Sequence, residues 1–488
     1  MPLEENAPSG GDRQAIEFST LSMRPRRPGF ENRFLDRRPR RLTASANSDG
    51  DRDRPPSRSR TLTSDFNPVT LLIGSGTVTV TGTGSGWEYN TPRMRILLVA
   101  TKTPWPPIDG GRLVLLNTID GLRDAGHRVT LIAPVDGRFL DVELVRQNLE
   151  GRCEVHLPPA ATRGAIRSLV QAEVSRTPVT IIRHSLERVH RTVERVIADE
   201  QFDVVHAEQQ QAFAGSQPAR RAGIPVVLRA QNVESALWTF ASRYRSAFLK
   251  AFFRREAAKL AAWESECCRQ ADATIALTRF DACALRKLAG PKARVENVEA
   301  PFVGQLEAGR TSLEGDPAVV ILASRKWLPN RDAVWRFVGE AWPRVHQVLP
   351  SARLHVFGIS KSVDRSPGVS WHPAPEKSTD AFPSGAVVAI PSRHPTGVPM
   401  KCLEAWARGL PVVGSPEAAE QLEAEDGREM LVASGSEHFA RAMVMLHENP
   451  GLKDRLIDGG REALKQRHDP AKVVAKLENV YHQAMSKP

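Results

Sequence analysis

From Met94 onward the apolar residues fall into short continuous runs separated by amphipathic stretches. RILLVA (95–100), HRVTLIA (127–133), DVVHAE (203–208), PVVLRAQ (225–231) and ATIALT (273–278) are the runs of the first half. Continuity rather than alternation marks strands covered on both faces. Helical patterns lie between them, such as GRLVLLNTIDGLRDAG, closed by Gly126. The irregular stretch Pro301–Pro317 reads as a linker, after which the alternation restarts with AVVILASR, RLHVFG, VSWHP, VVAIPS and PVVGS. The pattern predicts an α/β protein of two doubly wound parallel sheets, over 94–305 and 306–465. A closing helix at 466–488 fits against either domain. A ligand would then sit at the carboxyl ends of both sheets, in the cleft between them.

Residues 1–93 are different in kind. They are rich in Arg, Pro, Ser, Asp and Gly, contain no lysine, and show no sustained period. PRRPGF, LDRRPRR and DRDRPPSRSR are self-repelling, so a disordered or mis-assigned extension is expected there. The GTGSG match at Gly82–Gly86 neither follows a strand nor opens a helix, and is discounted as a dinucleotide loop.

Composition narrows the function classes. The chain of 488 residues is 41% hydrophobic and 25% charged, ordinary for a globular protein. The net charge of +11 is spread widely, with no zinc-finger, RNA-binding or heptad-linked basic signature, so no nucleic-acid partner is expected. Five cysteines without metal-ligand spacing point to a reducing cytosol. No apolar run reaches the roughly 18–20 residues a spanning helix needs, and the first residues lack a basic leader pattern. A cytoplasmic protein is expected, with contact at the inner face of the plasma membrane as an option.

Three loops at strand ends carry candidate chemistry. TGVPMKCLEAWARGLPVVGS (Thr396–Ser415) reads as a loop, a helix beginning just after Pro399, a stop at Gly409 and a buried strand. Amides and dipole at that helix start favour an anion. Lys401 and Glu404 lie one turn apart, which suits a nucleotide diphosphate: cation for phosphate, carboxylate for ribose hydroxyls. The loop Thr101–Leu113 places Gly110 and Gly111 at another helix start, where backbone approaches a ligand closely. Ser324–Asp332 adds Arg325 and Lys326, cations suited to phosphate oxygens. The ends of DVVHAE and AQNVES put His206, Glu208, Asn232 and Glu234 at predicted strand ends of the first domain, the acceptor half in the resemblance drawn below. His206 is alternatively a satisfied buried histidine. The basic helix Arg243–Glu264, with Phe248, Leu249, Phe252 and Phe253, suits either docking on an anionic inner membrane or, as the favoured reading, packing into the first domain.

Taken in order, PPIDGGR, GHRVTLI, DVVHAE, RAQNVES..W, WLPNRDAVWRFVGEAWPRV, LPSARLHVFG and MKCLEAWARGLPVVGS resemble the retaining glycosyltransferases of family 4, over about 390 residues. That resemblance implies two Rossmann-like domains of the B-type fold and a nucleotide-sugar donor, UDP- or GDP-linked, held mainly by the second. It implies that Glu404 holds the ribose, that Lys401 and Arg325 hold the diphosphate, and that the Gly110–Gly111 amides reach it from across the cleft. Many relatives carry a carboxylate eight positions before Glu404. Here that place is Thr396, and a subset of relatives uses a Gly-rich loop there, on which Thr396, Gly397 and Val398 would sit. Lys326 follows Arg325 directly, whereas many relatives place the lysine later. The family generally needs no bound cofactor or metal, and the D-x-D triplet Asp51–Asp53 lies in the amino-terminal extension. Bacterial cell-surface polysaccharide or glycolipid assembly, with a glycan or lipid-linked acceptor, is the implied setting. A sugar-nucleotide epimerase and a non-catalytic nucleotide-binding scaffold are the competing readings.

Overall fold

The computed structural model describes residues 93–486 apart from 139, 161–163, 185–186, 325–327, 360–365 and 395, together with 69–73, 76–83 and 86–89. The last three form an antiparallel meander of β1 (Val69–Ile73), β2 (Gly76–Thr83) and β3 (Gly86–Tyr89). These strands lie in a stretch whose sequence shows no sustained strand period. In GTVTVTGT, β-branched residues recur at every second or neighbouring position, a composition suited to a pleated ribbon. The rest of the extension lies outside the described residues.

The main body begins at Arg93. β4 (Arg95–Val99), β5 (Arg128–Ile132), β6 (Glu154–His156), β7 (Val204–Glu208), β8 (Val226–Ala230), β9 (Ala273–Ala276) and β10 (Val295–Asn297) build its first sheet. Their order is β10-β9-β8-β7-β4-β5-β6, every pairing parallel. The second sheet has β11 (Ala318–Leu322), β12 (Arg353–Phe357), β13 (Val369–His372), β14 (Val387–Ile390), β15 (Val412–Gly414) and β16 (Leu431–Val432). Its order is β13-β12-β11-β14-β15-β16, again wholly parallel. Both are doubly wound, with strand order reversing between β4 and β7 and between β11 and β14.

Burial explains the continuous apolar runs. Within β4, Ile96 and Leu98 face Leu115 and Ile119, while Leu97 and Val99 face Val193 and Phe213 on the other side. In the second sheet Val319 and Ile321 pack toward Trp342 and Leu446, and Val320 and Val388 toward Leu403 and Trp406.

The last helix, Pro470–Met485, returns to the first domain. Val473, Val474, Leu477 and Tyr481 join Leu98, Leu115 and Ile119 in one core. Gly121 lets it come close, since a Cβ there would lie 2.8 Å from Val474 Cγ2. Glu478 Oε1 accepts from His127 Nε2 at 2.7 Å. The chain therefore crosses between domains twice, at Ala300–Phe302 and at His468–Pro470, and the crossings are laced together. Phe302 N–H donates to His468 O and His468 Nδ1–H to Ala300 O, both at 2.8 Å. No helix among the described residues is long and apolar enough to cross a membrane.

Candidate active site

Loops from the carboxyl ends of both sheets meet at the two points where strand order reverses. After β4, the chain runs through Thr101–Asp109 into the Gly110–Asp124 helix, capped by Asp109, whose side chain accepts from Arg112 N–H at 3.0 Å. Lys102 Nζ donates to Asp109 Oδ1 at 2.7 Å. The helix start is wedged between two neighbours: a Cβ on Gly110 would meet Met400 Cγ of the second domain at 2.9 Å, and one on Gly111 would meet Gln231 Oε1 at 2.5 Å. Close backbone approach is the reason for the glycine pair.

A polar network underlies that turn. Gln231 Nε2 donates to Gly111 O at 3.2 Å and to Glu208 Oε1 at 2.8 Å. Gln209 Nε2 donates to Gln231 Oε1 at 2.8 Å, and Thr101 Oγ1 to Gln209 Oε1 at 2.7 Å. Gln209 holds φ at +73° with ψ at 153°, a conformation that costs a side-chain-bearing residue about 1–3 kcal/mol. Such strain persists where surrounding bonds fix it, as they do here at the tip of β7.

His206 and Glu208 sit lower than expected. Both are fully buried: His206 Nδ1 lies 2.7 Å from the Tyr481 hydroxyl, and Glu208 accepts from Arg229 Nε at 2.9 Å. Burial acts to raise the Glu208 carboxyl, but Arg229 and His206 outweigh it and hold the group at about 2. Burial pushes His206 down, toward the neutral ring. For His206 this is the satisfied buried histidine that was the alternative to an acceptor-side role. β7 is central and covered on both faces, and the Pro470–Met485 helix closes over His206, so the pair supports the Gln231–Gly111 turn from below. Asn232 and Glu234 are half-buried at the start of the Glu234–Ser242 helix. Burial, eased by Gln211, Lys102 and Asn232, raises Glu234 to about 7.

In the second domain the Met400–Ala407 helix starts after Pro399 and ends ahead of Gly409, at φ +66°. Lys401 Nζ donates to Leu322 O at the end of β11, and burial draws its ammonium down to about 8 against the pull of Glu404. Glu404 is gripped by Arg408: Nη2 and Nε donate to Oε1 at 2.8 and 3.2 Å. Arg408 is itself anchored on Glu307 O and Ser378 Oγ. Arg325 and Lys326 lie outside the described residues. The third loop, Thr396–Val398, is covered by the first domain, with Thr396 buried against Val233 and Asp281.

Two family models match this chain, the Glycosyl transferase 4-like domain over 109–300 and Glycosyl transferases group 1 over 317–449, together about two thirds of its length. The chain belongs to the group 1 glycosyltransferases. No curated protein matches it. Its fold is that of solved glycosyltransferases of B-type architecture. Sucrose-phosphate synthase from Thermosynechococcus elongatus superposes with a TM-score of 0.60 at 15% identity, covering 80% of this chain and 99% of that one. Staphylococcus aureus TarM, in complex with fondaparinux, α-GlcNAc-glycerol and UDP, gives 0.57 at 9% identity over 80% and 100%. Anabaena HepE with UDP gives 0.54 at 16% over 80% and 100%.

Sequence reasoning on this glycosyltransferase missed Arg408, Lys102, Gln209, Gln231 and Asp281. Arg408 had a local signal, standing four residues after Glu404 on one helix. The others meet their partners only through the fold.

Proposed function

We propose that this glycosyltransferase moves a sugar, with retention, from a UDP- or GDP-linked donor on its second domain to a glycan or lipid-linked acceptor on its first. The observation that carries this reading is one helix start bearing Lys401 and the Arg408-held Glu404, set against a second helix start at Gly110–Gly111. Glu404 is oriented for ribose hydroxyls. Lys401 and the two helix starts offset the negative charge that grows on the diphosphate as the sugar–phosphate bond breaks. The bond from the sugar carbon to the acceptor oxygen forms on the same face, and the acceptor proton passes to the departing phosphate. No side-chain nucleophile and no metal is called for. HepE is known with UDP-glucose, which supports a nucleotide sugar here.

Incubation with a panel of UDP-, GDP- and ADP-sugars tests this: nucleotide release that rises with a glycan acceptor and survives EDTA is expected. Interconversion of the sugar without transfer would mean an epimerase.

Assembly of a surface polysaccharide at an anionic membrane fits one surface feature. Phe252 and Phe253 pack on Trp238, as the favoured reading of that helix has it. Phe248, however, is 84% exposed and Val174 is 87% exposed. Exposed Arg167, Arg254 and Arg255 share the helices Ala165–Val174 and Ala247–Gln270, Arg176 follows the first of them, and an Arg255–Glu173 ion pair at 2.5 Å joins the two. Apolar tips ringed by cations suit an acidic lipid surface. Flotation with anionic vesicles at low salt should carry the protein up, and Phe248→Ser should leave more of it behind.

A further inference from the structure

Asp281 stands in the first turn of the Arg279–Ala289 helix, wholly buried, with its own N–H donated to Thr278 Oγ1 at 2.9 Å. Its carboxylate turns toward the loop of the second domain. Oδ1 accepts from Thr396 Oγ1 at 2.5 Å and Oδ2 from Gly397 N–H at 3.0 Å. The same Thr396 hydroxyl accepts from Val233 N–H at 2.7 Å, and Val233 is the cap residue of the Glu234–Ser242 helix. Gly397, at φ +86°, lies so close to Asn232 that a Cβ there would fall 2.1 Å from its Oδ1. One hydroxyl and one carboxylate thus join three segments: the loop after β14, the start of the Glu234–Ser242 helix, and the helix after β9.

We infer that Asp281 is a positioning residue that, through Thr396, locks the donor-side loop Thr396–Val398 onto the acceptor-side helix start bearing Asn232 and Glu234. The reason lies in the geometry of position 396. A carboxylate there would stand within hydrogen-bond distance of the Asp281 carboxylate, and two buried like charges repel strongly. A hydroxyl can donate to Asp281 and accept from Val233 at once. Position 396 is thereby committed to coupling the domains, and its side chain is not available to a donor sugar. Apolar contact of Val398 and Met400 with Val114, Leu277 and Ala300 seals the joint. The exposed Arg279–Glu423 pair at 3.3 Å, at its edge, contributes little.

This inference deepens the proposed transfer reaction, but its first test does not depend on it. In the full chain, Thr396→Val and Asp281→Asn should each speed hydrogen exchange at the Val233 and Gly397 amides by about tenfold or more. Thr396→Ser should keep wild-type protection. The double variant should exchange no faster than the worse single one, since both break one connection. With UDP as probe, Kd should stay within about twofold, whereas turnover with an acceptor should fall by about tenfold in kcat with little change in donor KM. Unchanged exchange in both single variants, or Thr396→Ser as damaging as Thr396→Val, would overturn the assignment. If Asp281→Asn does not fold, the Thr396 pair decides. A protein that binds no UDP yet shows the exchange pattern would keep this coupling while removing the transferase reading.

Discussion

Lys401 and Glu404 stand one turn apart on one helix, a cation and a carboxylate, yet the structure gives each a different partner. Lys401 is tied to the end of β11 and held near 8 by burial, so its charge is conditional. A bound diphosphate favours the protonated form. Above about pH 8 that proton must be taken up on binding, so UDP affinity should fall about tenfold between pH 7 and 9. Titration calorimetry across that range checks this, and Lys401→Met should abolish the slope; a flat wild-type profile removes Lys401 from the diphosphate site. Glu404 owes its aim to the forked grip of Arg408. Arg408→Lys keeps the charge but loses the fork, so nucleotide-sugar affinity should drop about tenfold, or about 1.4 kcal/mol. Equal affinity in that variant would mean that Glu404 needs no orienting partner.

At the scale of elements, the glycine pair opening the Gly110–Asp124 helix shows how packing sets activity. Gly111→Ala would drive Gln231 from its place between Gly111 O and Glu208, shifting the turn that fronts the cleft. A loss of about ten- to a hundredfold in kcat/KM is expected, with the melting midpoint lowered only modestly, as misplacement costs rate more than stability. Ten strands were legible, most of them because central parallel strands are largely apolar runs. Besides β1–β3 of the amino-terminal meander, three were not: β6, β10 and β16 are two or three residues long at sheet edges, and EVH and VEN carry no such run. The helix after Pro399 and its Gly409 stop were legible from local chemistry alone. The role of Thr396 was not legible, because its partners, Val233 and Asp281, are 163 and 115 positions away. The burial of His206 has a related cause. The helix that covers His206 comes from the far end of the chain.

At the scale of the whole molecule, the laced double crossing is sensitive to acid. His468 is buried and donates to Ala300 O, and burial pushes its ring down to about 4. An unfolded histidine titrates near 6.5, so between those values the unfolded chain takes up a proton that the folded one refuses. Stability from this group is therefore complete above about pH 6.5 and lost as pH falls toward 4, by about 3 kcal/mol at most. Denaturant midpoints at pH 7 and 4.5 should converge more closely in His468→Gln than in the wild type; equal separation in both would place the acid sensitivity elsewhere.

The return of the last helix to the first domain also fixes how the molecule can be recombined. The segment that a cut at one linker would assign to the donor half includes Leu477 and Tyr481, which belong to the acceptor half's core. A chimera joined only near residue 305 would marry one protein's β4 to another's closing helix, leaving a mismatched interior. Donor specificity is exchanged cleanly only as an inserted cassette with two seams, one at each crossing, so that each acceptor domain keeps its own final helix.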